Sequence, residues 1–168
     1  IPRPSQRLLS NGLKVNSFYA YDDIAPLLHS KHTVFGSSIF HLLSKKSFVP
    51  FAHDFSFNES VLAIPIDDHV RDGFSHTAIL AKALNSSSIT PVFGALRATN
   101  RVRFTGKDLK FRQSNPRRFT CKLPKESNVI LVDDLITSGQ TLLEASELLK
   151  KSQITPLFAL TLANANIS

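Results

Sequence analysis

The chain has 168 residues, enough for one domain with a sizeable core, and its 42% hydrophobic and 20% charged residues are an ordinary globular balance. No apolar run is long enough to cross a bilayer and no basic-then-apolar signal segment opens the chain, while the single Cys121 excludes a disulfide framework and a zinc ribbon, so a cytoplasmic protein is expected. The net charge of +7 is concentrated: between Arg97 and Lys125 ten basic residues stand against one acid, Asp108, which gives that segment +9 and leaves −2 for the rest.

Residues 1 to 12 hold two prolines and the run Ser10-Asn11-Gly12, and read as an amino-terminal tether to a domain spanning 13 to 168. Val15 to Tyr21 has the pattern of a strand. Asp22 and Asp23 can cap a helix reaching about His32, and a second helix is expected over Phe35 to Phe48. Val61 to Ile66 reads as a strand ending at Asp67-Asp68. Ser75 to Leu84 follows as a helix with Ile79, Leu80 and Ala83 on its apolar face. Thr90 to Phe93 is a short strand. The basic segment, about 97–125, is then a long connection, more often functional than filler in a compact domain, and is expected to be partly structured as a flap, a pair of strands plus loop. Val129 to Val132, a helix over Gly139 to Lys151 and a strand over Pro156 to Leu162 complete the pattern. Strands alternating with helices predict an α/β fold with a mostly parallel sheet and helices on both faces.

The chemistry concentrates after Val129-Ile130-Leu131-Val132. Apolar on both faces, this run reads as a buried strand, and it leads into Asp133 and Asp134 at the carboxyl end, where open α/β sheets place ligands. Two carboxylates there can accept hydrogen bonds from a pair of ribose hydroxyls. Thr137, Ser138, Gly139, Gln140 and Thr141 offer hydroxyls and backbone N–H groups to a phosphate, and the following helix adds its positive dipole end. The same letters also suit a receiver-like metal or phospho-acceptor pair, or a plain helix cap. A Walker A loop is excluded, because no Gly-Lys-Ser/Thr is present.

A second loop, Asp67 to His76, also follows a strand and precedes a helix. Asp67 and Asp68 can hold Mg²⁺ through water, and Arg71 can meet a pyrophosphate oxygen; the bland alternative is a polar turn with Ser75 as a helix cap. In the basic segment, Arg97, Arg101, Arg103, Lys107, Lys110, Arg112, Arg117 and Arg118 are candidates for phosphates along single-stranded DNA, with Phe104, Phe111 and Phe119 to stack on bases or to pack inside. Two or three cations would serve a pyrophosphate, and ten are an excess. The six histidines are scattered, and only His69 and His76 lie in a candidate loop.

The thirteen residues from Val129 to Thr141 resemble the ribose-phosphate signature of type I phosphoribosyltransferases, proteins that bind phosphoribosyl pyrophosphate (PRPP) with Mg²⁺. Ser138 and Gln140 stand where that family often has Thr and Ala. Three segments together resemble the ComF-type competence proteins and their GntX-like relatives: this signature, the Asp72-Gly73-Phe74-Ser75-His76 loop, where only the glycine and phenylalanine match, and Arg112, Asn115 and Phe119 at the family's spacing. Members often begin with a four-cysteine zinc module, and this chain has no such cysteines. The resemblance implies a phosphoribosyltransferase-like parallel sheet flanked by helices with a small basic hood. It implies PRPP and Mg²⁺ at Asp133 and Asp134, and a role in natural transformation, handling incoming single-stranded DNA in the cytoplasm beside competence-machinery proteins of the inner membrane. Two other functions fit the same residues. One is a working transferase to a nucleobase-like acceptor, with Asp133 and Asp134 catalytic; the other is a PRPP-sensing regulator that binds nucleic acid.

Overall fold

The structure, a computed structural model, describes residues 3–70, 73–100 and 106–165. Arg71, Asp72, Arg101, Arg103 and Phe104 therefore lie outside the described residues. The chain opens with a hairpin: β1 (Ser5–Leu8) runs antiparallel to β2 (Lys14–Ala20), and Gly12 takes φ +85° in the turn between them. Part of the expected tether is thus an edge strand, and Arg3 extends the attachment through an ion pair with Asp23 at 2.5 Å.

Next come α1 (Tyr21–His29), a 3₁₀ turn (Ser30–His32), α2 (Gly36–Lys46) and α3 (Phe48–Asp54). Asp22 and Asp23 sit in the first turn of α1 and not at its cap, where they still complement the dipole. The single helix expected over 35–48 ends at Lys46. Ser47 leaves the helical region (φ −131°, ψ −69°), and Pro50 then falls in the first turn of α3, where its missing N–H costs nothing.

The remaining elements are β3 (Val61–Pro65), α4 (His76–Lys82), β4 (Ile89–Pro91), β5 (Leu96–Ala98), α5 (Leu109–Ser114), β6 (Phe119–Cys121), β7 (Asn128–Ile136), α6 (Gln140–Lys151) and β8 (Thr155–Asn164). The fold is α/β. Its six-stranded sheet has the order β1-β2-β8-β7-β3-β4, parallel throughout except for β1. In the basic segment β5 and β6 form a separate antiparallel ribbon, and α5 lies in the connection between them.

Both faces of the sheet are covered. Ile130 and Val132 of β7 pack with Leu28, Phe40, Phe48 and Leu80 from α1 to α4. Val129 and Leu131 point the other way, toward Leu142, Ala145 and Leu149 of α6 and Leu96 of β5. This explains the unbroken apolar run: a strand buried on both faces has no polar side to show. Cys121 is half-buried beside the α6-side core, and burial pushes its thiol up, away from reactivity. No helix among the described residues is long and apolar enough to cross a membrane.

Candidate functional site

β3 and β7 are neighbours and parallel, so the turns that follow them open at one edge of the sheet. The strand reading of the signature holds, with one change. β7 does not stop at Val132 but continues to Ile136, pairing Asp133 with Thr161 and Leu135 with Ala163 of β8. Consecutive strand residues face opposite ways, so the two carboxylates serve different sides of the sheet.

Asp134 is buried, and its Oδ2 accepts a hydrogen bond from Lys31 Nζ at 2.8 Å. His76 Nε2, from the first residue of α4, lies 3.5 Å from the same oxygen. Burial resists ionisation of Asp134, but the charges of His76 and Lys31 outweigh it and hold the carboxyl well below the usual carboxylate range. Asp133 turns back on the chain, its Oδ1 accepting the Asp134 N–H at 2.9 Å. Burial, and then the charge of Asp134, push the Asp133 carboxyl well above the ordinary value.

The 137–141 loop is built around Gly139, which takes φ +82° as the N-cap of α6. A Cβ there would lie 2.7 Å from Leu9 Cδ2, so glycine answers both the backbone conformation and the close approach of Leu9. Arg7 of β1 braces the loop from beneath: its Nη1 donates to Thr137 O at 2.5 Å and to Asn164 Oδ1 at 3.3 Å. Ser138 Oγ accepts from the Gln140 N–H at 3.3 Å, and the Gln140 amide donates to Glu144 Oε1 at 3.3 Å. Arg112 reaches in from α5, donating through Nη1 to the Thr137 hydroxyl and, at 3.4 Å, to the Ser138 hydroxyl. Asp133, Thr137, Ser138, Gly139, Gln140, Thr141 and Arg112 thus meet around a cavity of about 20 Å³.

The loop after β3 is used differently. Asp67, in the left-handed region at φ +46°, accepts the Ala98 N–H at 3.2 Å. Asp68 Oδ2 accepts the Gly94 N–H at 2.7 Å. The buried Asp68 Oδ1 has no hydrogen-bond partner among the described residues and faces Arg97 Nη2 at 3.7 Å. Arg97 Nη1 in turn lies 2.9 Å from His69 Nδ1. These two carboxylates therefore hold the root of the β5–β6 ribbon. Ser75 does cap α4, its hydroxyl accepting the Ala78 N–H at 3.2 Å. Among the described residues of this segment, His76 meets the signature.

The expected DNA-facing cations divide. Arg97 and Arg112 turn inward to the two loops, and the Arg117 N–H docks on Glu144 Oε2 at 2.7 Å. Lys107, Lys110 and Arg118 are exposed. Lys107 Nζ lies 5.1 Å from the centre of the Phe111 ring, and Phe119 is partly buried against the α6-side core. Among the described residues no group of three or more His, Cys, Asp or Glu could hold a metal.

Sequence reasoning did not find Arg7, Leu9, Lys31 or Glu144. Glu144 carried a signal, standing four residues after Gln140 on a predicted helix. Arg7, Leu9 and Lys31 carried none, because their place is set by strand pairing and chain path.

No protein family and no curated protein matches the chain. Among solved structures, a hypoxanthine phosphoribosyltransferase from Staphylococcus aureus aligns at 14% identity and a TM-score of 0.47, over 79% of this chain and 70% of that one. An adenine phosphoribosyltransferase from Saccharomyces cerevisiae aligns at 16% identity and a TM-score of 0.45, over 96% of this chain and 84% of that one. The UMP synthase of Leishmania donovani aligns at 15% identity and a TM-score of 0.46, over 97% of this chain and 28% of that one.

Proposed function

We propose that this chain binds PRPP with Mg²⁺ at the carboxyl edge of β3 and β7. The observation that carries the reading is the run from Asp133 to Thr141: two strand carboxylates, then a left-handed Gly139 opening α6 beside two hydroxyls. The loop and the N-terminus of α6 would receive the 5′-phosphate. Asp134 and Asp133 would receive the ribose hydroxyls, with Lys31 and His76 giving up part of their hold on Asp134. Mg²⁺, carried on the pyrophosphate oxygens and met by these carboxylates, would neutralise charge on that group. Asp67, Asp68 and Arg71 remain the candidates of the neighbouring turn for the pyrophosphate end, although Asp67 and Asp68 already serve the ribbon root.

Calorimetry with PRPP and Mg²⁺ tests this. The wild type should bind, and the double variant Asp133→Ala, Asp134→Ala should not, while keeping its circular dichroism spectrum. Unchanged affinity in that variant rejects the site. Pyrophosphate release measured with a panel of nucleobases then separates a transferase from a protein that only binds PRPP. In a transferase the ribose ring gains positive charge as pyrophosphate leaves, and the ionised Asp134 would stabilise it.

The second half of the proposal is a polyanion surface on the basic flap. Its support is the exposure of Lys107, Lys110 and Arg118 on a segment carrying ten basic residues. Single-stranded DNA is the polyanion that the ComF-type resemblance suggests, with DNA uptake beside inner-membrane competence proteins as the setting. A PRPP-sensing regulator predicts instead that PRPP changes the affinity for nucleic acid.

A further inference from the structure

We infer that Arg112, carried by the basic flap, is a ligand of the 5′-phosphate and makes the site select phosphorylated over bare ribose. The inference rests on the PRPP reading and adds to it a residue from outside the signature. Four observations converge on it.

Arg112 is aimed. Its Nε donates to the flap's own Lys107 O at 3.1 Å, which fixes the guanidinium from behind, and its Nη1 end points at the Ser138 and Thr137 hydroxyls. A planar fork held in this way is suited to phosphate oxygens. The element that carries it is also held. The Arg117 N–H docks on Glu144 of α6, and Asp67 and Asp68 clasp Ala98 and Gly94 at the ribbon root.

Arg112 also walls the cavity. At about 20 Å³ it has room for roughly one water and not for a phosphate. Among the described residues every other lining residue belongs to the 133–142 run, so a phosphate enters by taking over the Nη1 contacts to Thr137 and Ser138 while the Nε anchor on Lys107 O stays. Finally, the guanidinium faces the positive dipole end of α6, and two positive ends in one place favour an anion between them.

Calorimetry on the full chain decides the matter, with ribose 5-phosphate, ribose, magnesium pyrophosphate and PRPP as probes. Losing a charge-assisted hydrogen bond should weaken ribose 5-phosphate and PRPP about tenfold or more in Arg112→Gln and leave magnesium pyrophosphate within about twofold. Arg112→Lys should fall between, and Lys125→Gln should match the wild type. Equal affinity of Arg112→Gln and wild type for ribose 5-phosphate overturns the role of Arg112 and leaves the PRPP site standing. Failure of the wild type to bind PRPP overturns both. The wild type also answers without any variant. Ribose 5-phosphate should slow the modification of Arg112 by phenylglyoxal, read by peptide mass, and absence of protection in a protein that binds the sugar phosphate overturns the assignment.

Discussion

Asp133 and Asp134 share a peptide bond and differ in the cost of carrying charge. Asp134, held down by His76 and Lys31, stabilises the fold above the unfolded carboxylate value of 3.8, and this stability is lost as pH falls below it toward the depressed folded value. Asp133 works in the opposite sense. Raised by burial and by Asp134, it is neutral in the fold at pH values where the unfolded chain ionises, so stability falls as pH rises above 3.8 through its folded value. In the ligand-free protein, Asp133→Asn should therefore raise the melting temperature at about pH 8 and leave it unchanged at about pH 3. Asp134→Asn should lower it at about pH 8, by an amount that shrinks toward acid. Thermal melts across pH check both, and equal responses of the two variants would overturn the assignment. The pair itself was legible, since acids after an apolar strand are a plain pattern. Their division of labour was not, because Lys31 lies 103 residues away and nothing local marks it.

At the scale of elements, the turn that carries Lys31 is set by a glycine. A Cβ on Gly36 would stand 2.3 Å from Ser30 O and 2.8 Å from Phe74 Cζ, so α2 begins in contact with the 3₁₀ turn. Gly36→Ala should cost about 1–3 kcal/mol in urea unfolding and also weaken PRPP binding, since the turn must move and Lys31 with it. A variant as stable and as tight-binding as wild type would show that the contact is slack. The basic flap is the other element with a separable prediction. Reversing Lys107, Lys110 and Arg118 to Glu should weaken single-stranded DNA and flatten the slope of log affinity on log salt by up to about 2. PRPP binding should stay, because these three side chains do not line the loop cavity. Strand and helix order could be read from apolar runs and turn residues. The break at Ser47 could have been suspected from Pro50 alone, and the inward turn of Arg97 and Arg112 is a tertiary fact that charge counting overlooks.

For the whole molecule, the hairpin decides whether the amino-terminal residues are dispensable. A tether could be removed at no cost. Deleting residues 1 to 12 instead removes β1, the Arg7 brace on Thr137 O and Leu9 beneath Gly139. The shortened chain should melt at a lower temperature and lose at least about tenfold in PRPP affinity, roughly one charge-assisted hydrogen bond. Unchanged binding would make β1 a mere edge. The parallel sheet with helices on both faces was foreseeable from the alternation of elements. Strand order was not, because pairing depends on which buried faces match across long separations.

That order has a consequence for how the protein is made. β8, the last described strand, lies between β2 and β7 near the middle of the sheet. Until it emerges from the ribosome, the β1–β2 hairpin has no partner and the inner edge of β7 is open. At about 5–20 residues per second the 134 residues between Ala20 and Thr155 take on the order of ten seconds to synthesise. The edge of β2 stays open throughout that interval and the edge of β7 from its own synthesis onward, so unpaired strand edges favour aggregation of the nascent chain, and a stop codon before β8 leaves a fragment with both edges or the β2 edge uncovered in place of a smaller domain.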